Sequence, residues 1–201
     1  MDDGKVNAVS HALIDELHAA LDQASTEASA VCIVGNAKAF SAGFDLSVMN
    51  SGGIDDVLEL VQRGGELIFR VFLHPQPTVC AVTGHALAAG VLLNLACDTR
   101  IAAEGTSKIG LNETAIGMTL PVWAVELAMA RLSKRYATKA IIQAEIFDPA
   151  GALAAGYVDA VSANAVEDAI AEARRLGSMP GGAYGGTKAL LRQEIADRAF
   201  R

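Results

Sequence analysis

Thr78-Val-Cys-Ala-Val-Thr83, then Gly84-His85, then Ala86-Leu-Ala-Ala-Gly-Val-Leu-Leu-Asn-Leu-Ala-Cys97 is the stretch whose reading decides the fold. An apolar, β-branched run closed by glycine reads as a strand buried on both faces. The segment after the turn reads as a core helix, since it carries Asn94 and is well short of the roughly twenty residues a membrane span needs. The same strand-and-glycine pattern stands upstream in Ala30-Val-Cys-Ile-Val-Gly35. A loop of small residues, Asn36 to Asp45, follows it, and then a helical stretch from Ile54 to Leu73 that His74-Pro-Gln-Pro77 ends. Downstream, Thr99–Ala103 reads as a third strand and Tyr157–Ser162 as a last short one. Leu13, Leu17, Ala20 and Leu21 predict an amphipathic helix over about Ser10–Ala24, with Ser10 as its N-cap. Further helices are expected at Val122–Leu132, Ser133–Phe147, Pro149–Ala155 and Val166–Leu176, and at Thr187–Arg201 after the glycine-rich loop Met179–Gly186. Strands alternating with helices, with no dividing linker, predict one α/β domain over residues 1–201.

Composition narrows the classes. The 201 residues are 52% hydrophobic, 19% charged and only 5% aromatic, so aliphatic side chains must fill the core. A mean hydropathy of +0.32 excludes intrinsic disorder. Sixteen Lys and Arg against 23 Asp and Glu give a net charge of −7, and no basic run exceeds a pair, which argues against a nucleic-acid partner. Cys32, Cys80 and Cys97 sit singly inside apolar runs, without metal-ligand spacing, as buried reduced thiols of a cytoplasmic protein would. The N-terminal Met-Asp-Asp-Gly-Lys lacks a signal peptide's basic start and apolar stretch, and no membrane partner is expected.

Three local features carry chemistry. In Ser41-Ala-Gly-Phe-Asp-Leu46, Gly43 lets the backbone turn and approach a ligand, so the Phe44 N–H can point into a cavity. Read alone, it is also what any tight turn needs. In Gly84-His-Ala-Leu-Ala-Ala-Gly90 a strand gives way to a helix, whose first-turn N–H groups have no internal partners and lie at the positive end of its dipole. Ala89 and Gly90 would leave such an N–H open to a substrate oxygen, or would serve close packing on the sheet. Glu113, between Ile109-Gly-Leu and Thr114-Ala-Ile-Gly-Met, is either a solvated charge or a carboxylate in apolar surroundings. The second case raises its pKa, as a general base near neutral pH requires. Asn112 would orient Glu113 or cap the next helix, and His85 reads as a packing or capping residue. Trp123 and Phe44 read as apolar wall.

These three features, in this order, resemble the crotonase (enoyl-CoA hydratase/isomerase) superfamily. The similarity runs from Asp2 to Val161 and is most specific at Ala39–Leu46, Gly84–Asp98 and Ile109–Pro121. The resemblance implies a spiral of strand–strand–helix (ββα) units over about residues 1–162, with C-terminal helices from about 163 to 201. It implies coenzyme A thioester substrates, so that no separate cofactor is expected, and a homotrimer or a dimer of trimers. It places the two N–H donors of an oxyanion hole at Phe44 and Ala89 and the catalytic carboxylate at Glu113. It places substrate contacts at Ala42, Gly43, Asp45 and Leu46, backbone used around the CoA adenine and thioester, and at Leu92 and Asn112. Lys5 would be solvated or meet a CoA phosphate.

Hydratases of the superfamily hold a water between two glutamates, and the position of the first is Leu92 here. A single base implies a Δ3,Δ2-enoyl-CoA isomerase, whose Ile-Gly-Leu-Asn-Glu-Thr segment is similar. The alternatives are an enoyl-CoA hydratase, an acyl-CoA thioester hydrolase and a non-catalytic acyl-CoA-binding relative. Superfamily members usually have two strands before the Asp2–Ala8 segment and further terminal helices after Arg201, so the resemblance implies a fold shortened at both ends.

Overall fold

The apolar runs do become strands. In the computed structural model, which describes residues 1–201, the strands are β1 (Val31–Val34), β2 (Ala39–Ser41), β3 (Thr78–Val82), β4 (His85–Leu87), β5 (Thr99–Ala103), β6 (Ile109–Gly110) and β7 (Ala160–Ser162). The odd strands form one parallel sheet in the order β1-β3-β5-β7, and the even strands a smaller parallel sheet, β2-β4-β6. Each odd strand up to β5 therefore hands the chain to the next even strand in the other sheet, and a helical segment follows: a repeated ββα step. Register is set by Val31 opposite Thr78, Val79 opposite Thr99 and Ile101 opposite Ala160 in the large sheet. In the small one Ala39 lies opposite His85 and Ala86 opposite Ile109.

The helices are α1 (His11–Glu27), α2 (Leu46–Ser51), α3 (Ile54–Phe72), α4 (Ala89–Ala96), α5 (Val122–Arg131), α6 (Pro149–Ala155), α7 (Ala165–Gly177) and α8 (Gly181–Ala199). Every residue of β3 is buried, and its side chains alternate between two cores. Val79 and Ala81 meet Ala165, Ala169, Ala173 and Leu176 of α7, while Cys80 and Val82 join the main core. All eight residues of α4 are buried in that main core. Ser10 caps α1 as expected, accepting from the Leu13 N–H at 3.2 Å. Arg63 and Arg70 of α3, seven residues apart, donate to His11 and His18 of α1 at 2.6 and 2.8 Å and pair with Asp15 and Asp22.

Four expectations need correcting. The segment Asn36–Asp45 is not all loop, because Ala39–Ser41 pairs as β2. The helix expected from Ala86 starts at Ala89, since Ala86 and Leu87 are taken by the ladder to Ile109 and Gly110. Ser133–Phe147 is not one helix. It holds a single π-helical turn, Thr138–Ile142, after which Ala144 takes φ 52° and Phe147 exchanges backbone hydrogen bonds of 2.9 and 3.0 Å with Ile109. The glycine-rich Met179–Gly186 segment is mostly helix, because α8 already begins at Gly181. Gly185 packs on the Pro75 backbone and the Tyr184 hydroxyl donates to Asp98 at 2.8 Å, so tertiary contacts override poor helix propensity. No helix is long and apolar enough to cross a membrane.

Candidate active site

Because β2, β4 and β6 are parallel, their carboxyl ends lie at one edge of the small sheet. Ala42–Phe44, Ala88–Ala89 and Leu111–Glu113 leave those ends. The carboxyl end of parallel strands is where open α/β sheets bind ligands. The three segments singled out in the sequence are therefore brought together, although 69 residues separate Phe44 from Glu113.

The Phe44 segment is held from both sides. The Val9 N–H donates to Gly43 at 2.8 Å and the Asp45 N–H to Val9 at 3.2 Å, a single parallel bridge that leaves the Phe44 N–H without an acceptor in the protein. Buried Asn7 donates from Nδ2 to the Ala39 and Phe40 carbonyls at 3.0 and 3.2 Å, fixing the strand that leads in. Gly43 takes φ 100°, and a Cβ there would lie 2.8 Å from the Ala88 Cβ and 3.5 Å from the Ala89 nitrogen. Its bare backbone is what allows the two segments to approach. The Phe44 ring lies against Gly64 of α3, where a Cβ would overlap it.

Ala88 turns the chain from β4 into α4 at φ 51°, ψ −129°, a region that L-residues rarely occupy. Such strain persists only where the surroundings over-determine it, and it concentrates at functional sites. Here the Ala88 N–H donates to Gly110 at 3.2 Å, and its carbonyl accepts from Val91 and Leu92. Ala89 is the first helical residue, so its N–H has no partner within the helix. A Cβ on Gly90 would overlap the Ser41 carbonyl oxygen, so the small residues serve close packing as well.

Glu113 is 9% exposed, and its Oε2 has no hydrogen-bond partner; neither does the buried Oδ1 of Asn112. Burial pushes the Glu113 carboxyl above the usual glutamate range, against the opposing pull of the backbone N–H groups of Glu113 and Asn112. Its carbonyl accepts from the Ile116 and Met118 N–H groups at 3.1 and 2.9 Å, a short 3₁₀ turn that Gly117 closes at φ 79°. Leu92, three residues after Ala89 on α4, is 1% exposed. A cavity of about 440 Å³ opens beside Asp45 and Leu46, and one of about 410 Å³ beside Thr114, Met118, Leu120 and Ile141; Glu113 lines neither.

The remaining expected contacts have local jobs. The Ala42 N–H donates to Val6 at 3.0 Å. Asp45 caps α2, accepting from the Ser47 N–H and hydroxyl at 2.8 and 2.7 Å, which holds its carboxyl below the usual range. Leu46 is 66% exposed. His85 accepts the Lys108 N–H at 2.9 Å, and Trp123 packs on Gly65 of α3. Asn112 caps nothing with its side chain. Nowhere do three His, Cys, Asp or Glu side chains gather as metal ligands. The Tyr157 hydroxyl, which meets the Leu111 N–H at 3.4 Å, escaped the sequence reading, and Asn94 entered it only as an argument against a membrane span; the local signal of each is a polar atom inside an apolar run.

The enoyl-CoA hydratase/isomerase profile matches residues 1–199. The chain belongs to the enoyl-CoA hydratase/isomerase family. Its crotonase fold is shared with the crystal structure of an enoyl-CoA hydratase/isomerase family protein from Pseudomonas syringae, at 40% identity and a TM-score of 0.95 over 98% of this chain and 86% of that one. Human mitochondrial Δ3,Δ2-enoyl-CoA isomerase is similar at 30% identity and a TM-score of 0.90, over 96% of this chain and 77% of that one. A probable enoyl-CoA hydratase of Bacillus subtilis is 39% identical over 115 residues, 56% of this chain and 44% of that protein's length. The crotonase relatives thus include both named activities, and the chain spans under half of the Bacillus protein.

Proposed function

We propose that this protein shifts the double bond of a 3-enoyl-CoA to give a 2-enoyl-CoA, with Glu113 as the only base. The Phe44 and Ala89 N–H groups donate to the thioester oxygen. Glu113 takes the proton from C2, the electron pair spreads over a dienolate, and the same carboxylic acid returns the proton to C4. The double bond moves from C3–C4 to C2–C3 and Glu113 is regenerated. An oxyanion donor of this kind contributes ~3–4 kcal/mol of barrier lowering. The observation that carries the reading is one buried carboxylate, its Oε2 without a hydrogen-bond partner, with an apolar, 1%-exposed Leu92 where a second would stand. Leu92 can neither hold a water nor take its proton.

Hydration of a 2-enoyl-CoA is the second reading, and one observation favours it. Asn112 Oδ1 and Glu113 Oε2, on consecutive residues, are buried acceptors without protein partners, and bound water is the ordinary partner of such groups. A homotrimer belongs to the same family-based reading. The protein incubated separately with 3-enoyl-CoA and 2-enoyl-CoA, with products resolved, tests both. Conversion of the first with little 3-hydroxyacyl-CoA from the second is expected. Robust 3-hydroxyacyl-CoA formation makes the protein a hydratase, and thioester cleavage or no turnover with either substrate overturns both readings.

A further inference from the structure

We propose that Tyr157 is a positioning residue for Glu113, its hydroxyl tying the segment that carries the carboxylate to the buried frame around α4. The inference rests on the reading of Glu113 as base and adds a residue outside the three converging segments.

A carboxylate whose Oε2 has no hydrogen-bond partner is aimed by its backbone. On the C-terminal side that backbone is fixed by the 3₁₀ turn, through the Ile116 and Met118 N–H groups. On the N-terminal side β6 pairs only as far as Gly110. The next residue, Leu111, donates its N–H to the Tyr157 hydroxyl at 3.4 Å, and the hydroxyl donates onward to the Ala140 carbonyl at 3.5 Å. Ala140 lies in the π-helical turn, and Thr114, directly after Glu113, donates its hydroxyl to the neighbouring Ile141 carbonyl at 3.4 Å. Both flanks of Glu113 are thus tied to one turn. Turns of this kind recur at functional sites.

The other end of Tyr157 reaches α4. Its carbonyl accepts from Asn94 Nδ2 at 2.9 Å, and Asn94 Oδ1 accepts from the Cys80 thiol at 3.1 Å. Tyr157, Asn94 and Cys80 are all 0% exposed. One residue therefore links the helix that begins at Ala89 with the segment that ends at Glu113. The ring itself packs on Phe147 with centroids 5.9 Å apart, and a phenylalanine would fill that space equally well without burying a hydroxyl. Burial keeps the hydroxyl protonated and hence a donor.

The test is Tyr157→Phe, with Glu113 labelled for carboxyl-carbon NMR so that no substrate is needed. The variant is expected to lose amide-exchange protection at Leu111 and to move the Glu113 titration midpoint toward the ordinary glutamate value. In turnover of 3-enoyl-CoA, kcat is expected to fall about 10- to 100-fold, as misplacement by an ångström or less does, with KM within about threefold. Unchanged midpoint and unchanged Leu111 protection overturn the proposal, whatever happens to melting temperature. If the variant does not fold, 3-fluorotyrosine at position 157 keeps the ring and weakens the hydroxyl oxygen as acceptor for the Leu111 N–H; unmoved Leu111 protection and an unmoved midpoint there overturn it equally. A moved midpoint in a protein that turns over neither substrate leaves the brace standing and sinks the proposed function alone.

Discussion

Glu113 concentrates the residue-scale argument, because one carboxylate is asked to be buried, to leave its Oε2 without a partner and to act as a base. Glu113→Gln keeps its size and removes the proton acceptor, so kcat should fall about 10²- to 10⁴-fold while KM for the thioester stays within a few-fold. Equal turnover would remove Glu113 from the chemistry. The pH dependence follows from the raised pKa. The base works when ionised, so activity should rise with pH through a midpoint above the ordinary glutamate value. Stability runs the opposite way. A carboxyl whose folded pKa is raised holds its proton in the folded state after the unfolded chain has lost it, so its contribution is complete below the unfolded pKa and is lost as pH rises through the folded one. Glu113→Gln should therefore melt higher than the wild type at neutral pH, with the gap closing toward pH 4. A lower melting temperature at pH 7 would mean that the backbone N–H groups of Glu113 and Asn112 outweigh the effect of burial.

Among the elements, α8 depends most on buried charge. Lys188 and Arg192 point inward with side chains 5% and 6% exposed and pair with the 8%-exposed Asp98 at 2.6 and 2.7 Å. The Lys188 ammonium also donates to the His74 and Gln76 carbonyls, and Arg192 donates to Phe72, each at 2.7 Å. Removing one partner from a buried ion pair strands the others, at a cost of about 3–5 kcal/mol. Asp98→Asn should lower the urea midpoint accordingly and expose α8 to proteolysis before the rest of the chain. Loss of stability without early cleavage in α8 would show that the network braces the sheet instead. The same ties explain why four glycines, Gly181, Gly182, Gly185 and Gly186, are helical here when local propensity predicts a loop.

Taken as a whole, the molecule has a helix turned inside out: with charges inward, α8 presents Leu190 and Leu191 at 90% and 71% exposure. Those side chains are the apolar surface on which the proposed trimer is tested. Sedimentation of the wild type is expected to give about three times the 20.8 kDa chain mass. The Leu190→Lys, Leu191→Lys pair should shift the mass toward the monomer, and an unchanged mass would place the contact elsewhere. At this scale the division between sequence and tertiary structure is plain. The runs at Ala30–Gly35, Thr78–Thr83 and Thr99–Ala103, and the stretches that became α1 and α3, were legible because buried strands and amphipathic helices carry their own local signal. Gly43, Ala89 and Glu113, each readable alone as a turn, a packing residue or a solvated charge, pointed to chemistry only as a set, through the family resemblance. What the chain could not announce locally are β2, β4 and β6, two or three residues long, which exist only through partners far away in sequence. Pairing of Phe147 with Ile109 also keeps Ser133–Phe147 from forming one helix, and burial alone gave the Tyr157 hydroxyl its neighbours. The short parallel ladder is what brings Phe44, Ala89 and Glu113 to one edge, and no period in the sequence encodes it, because its stability comes from strands separated by tens of residues.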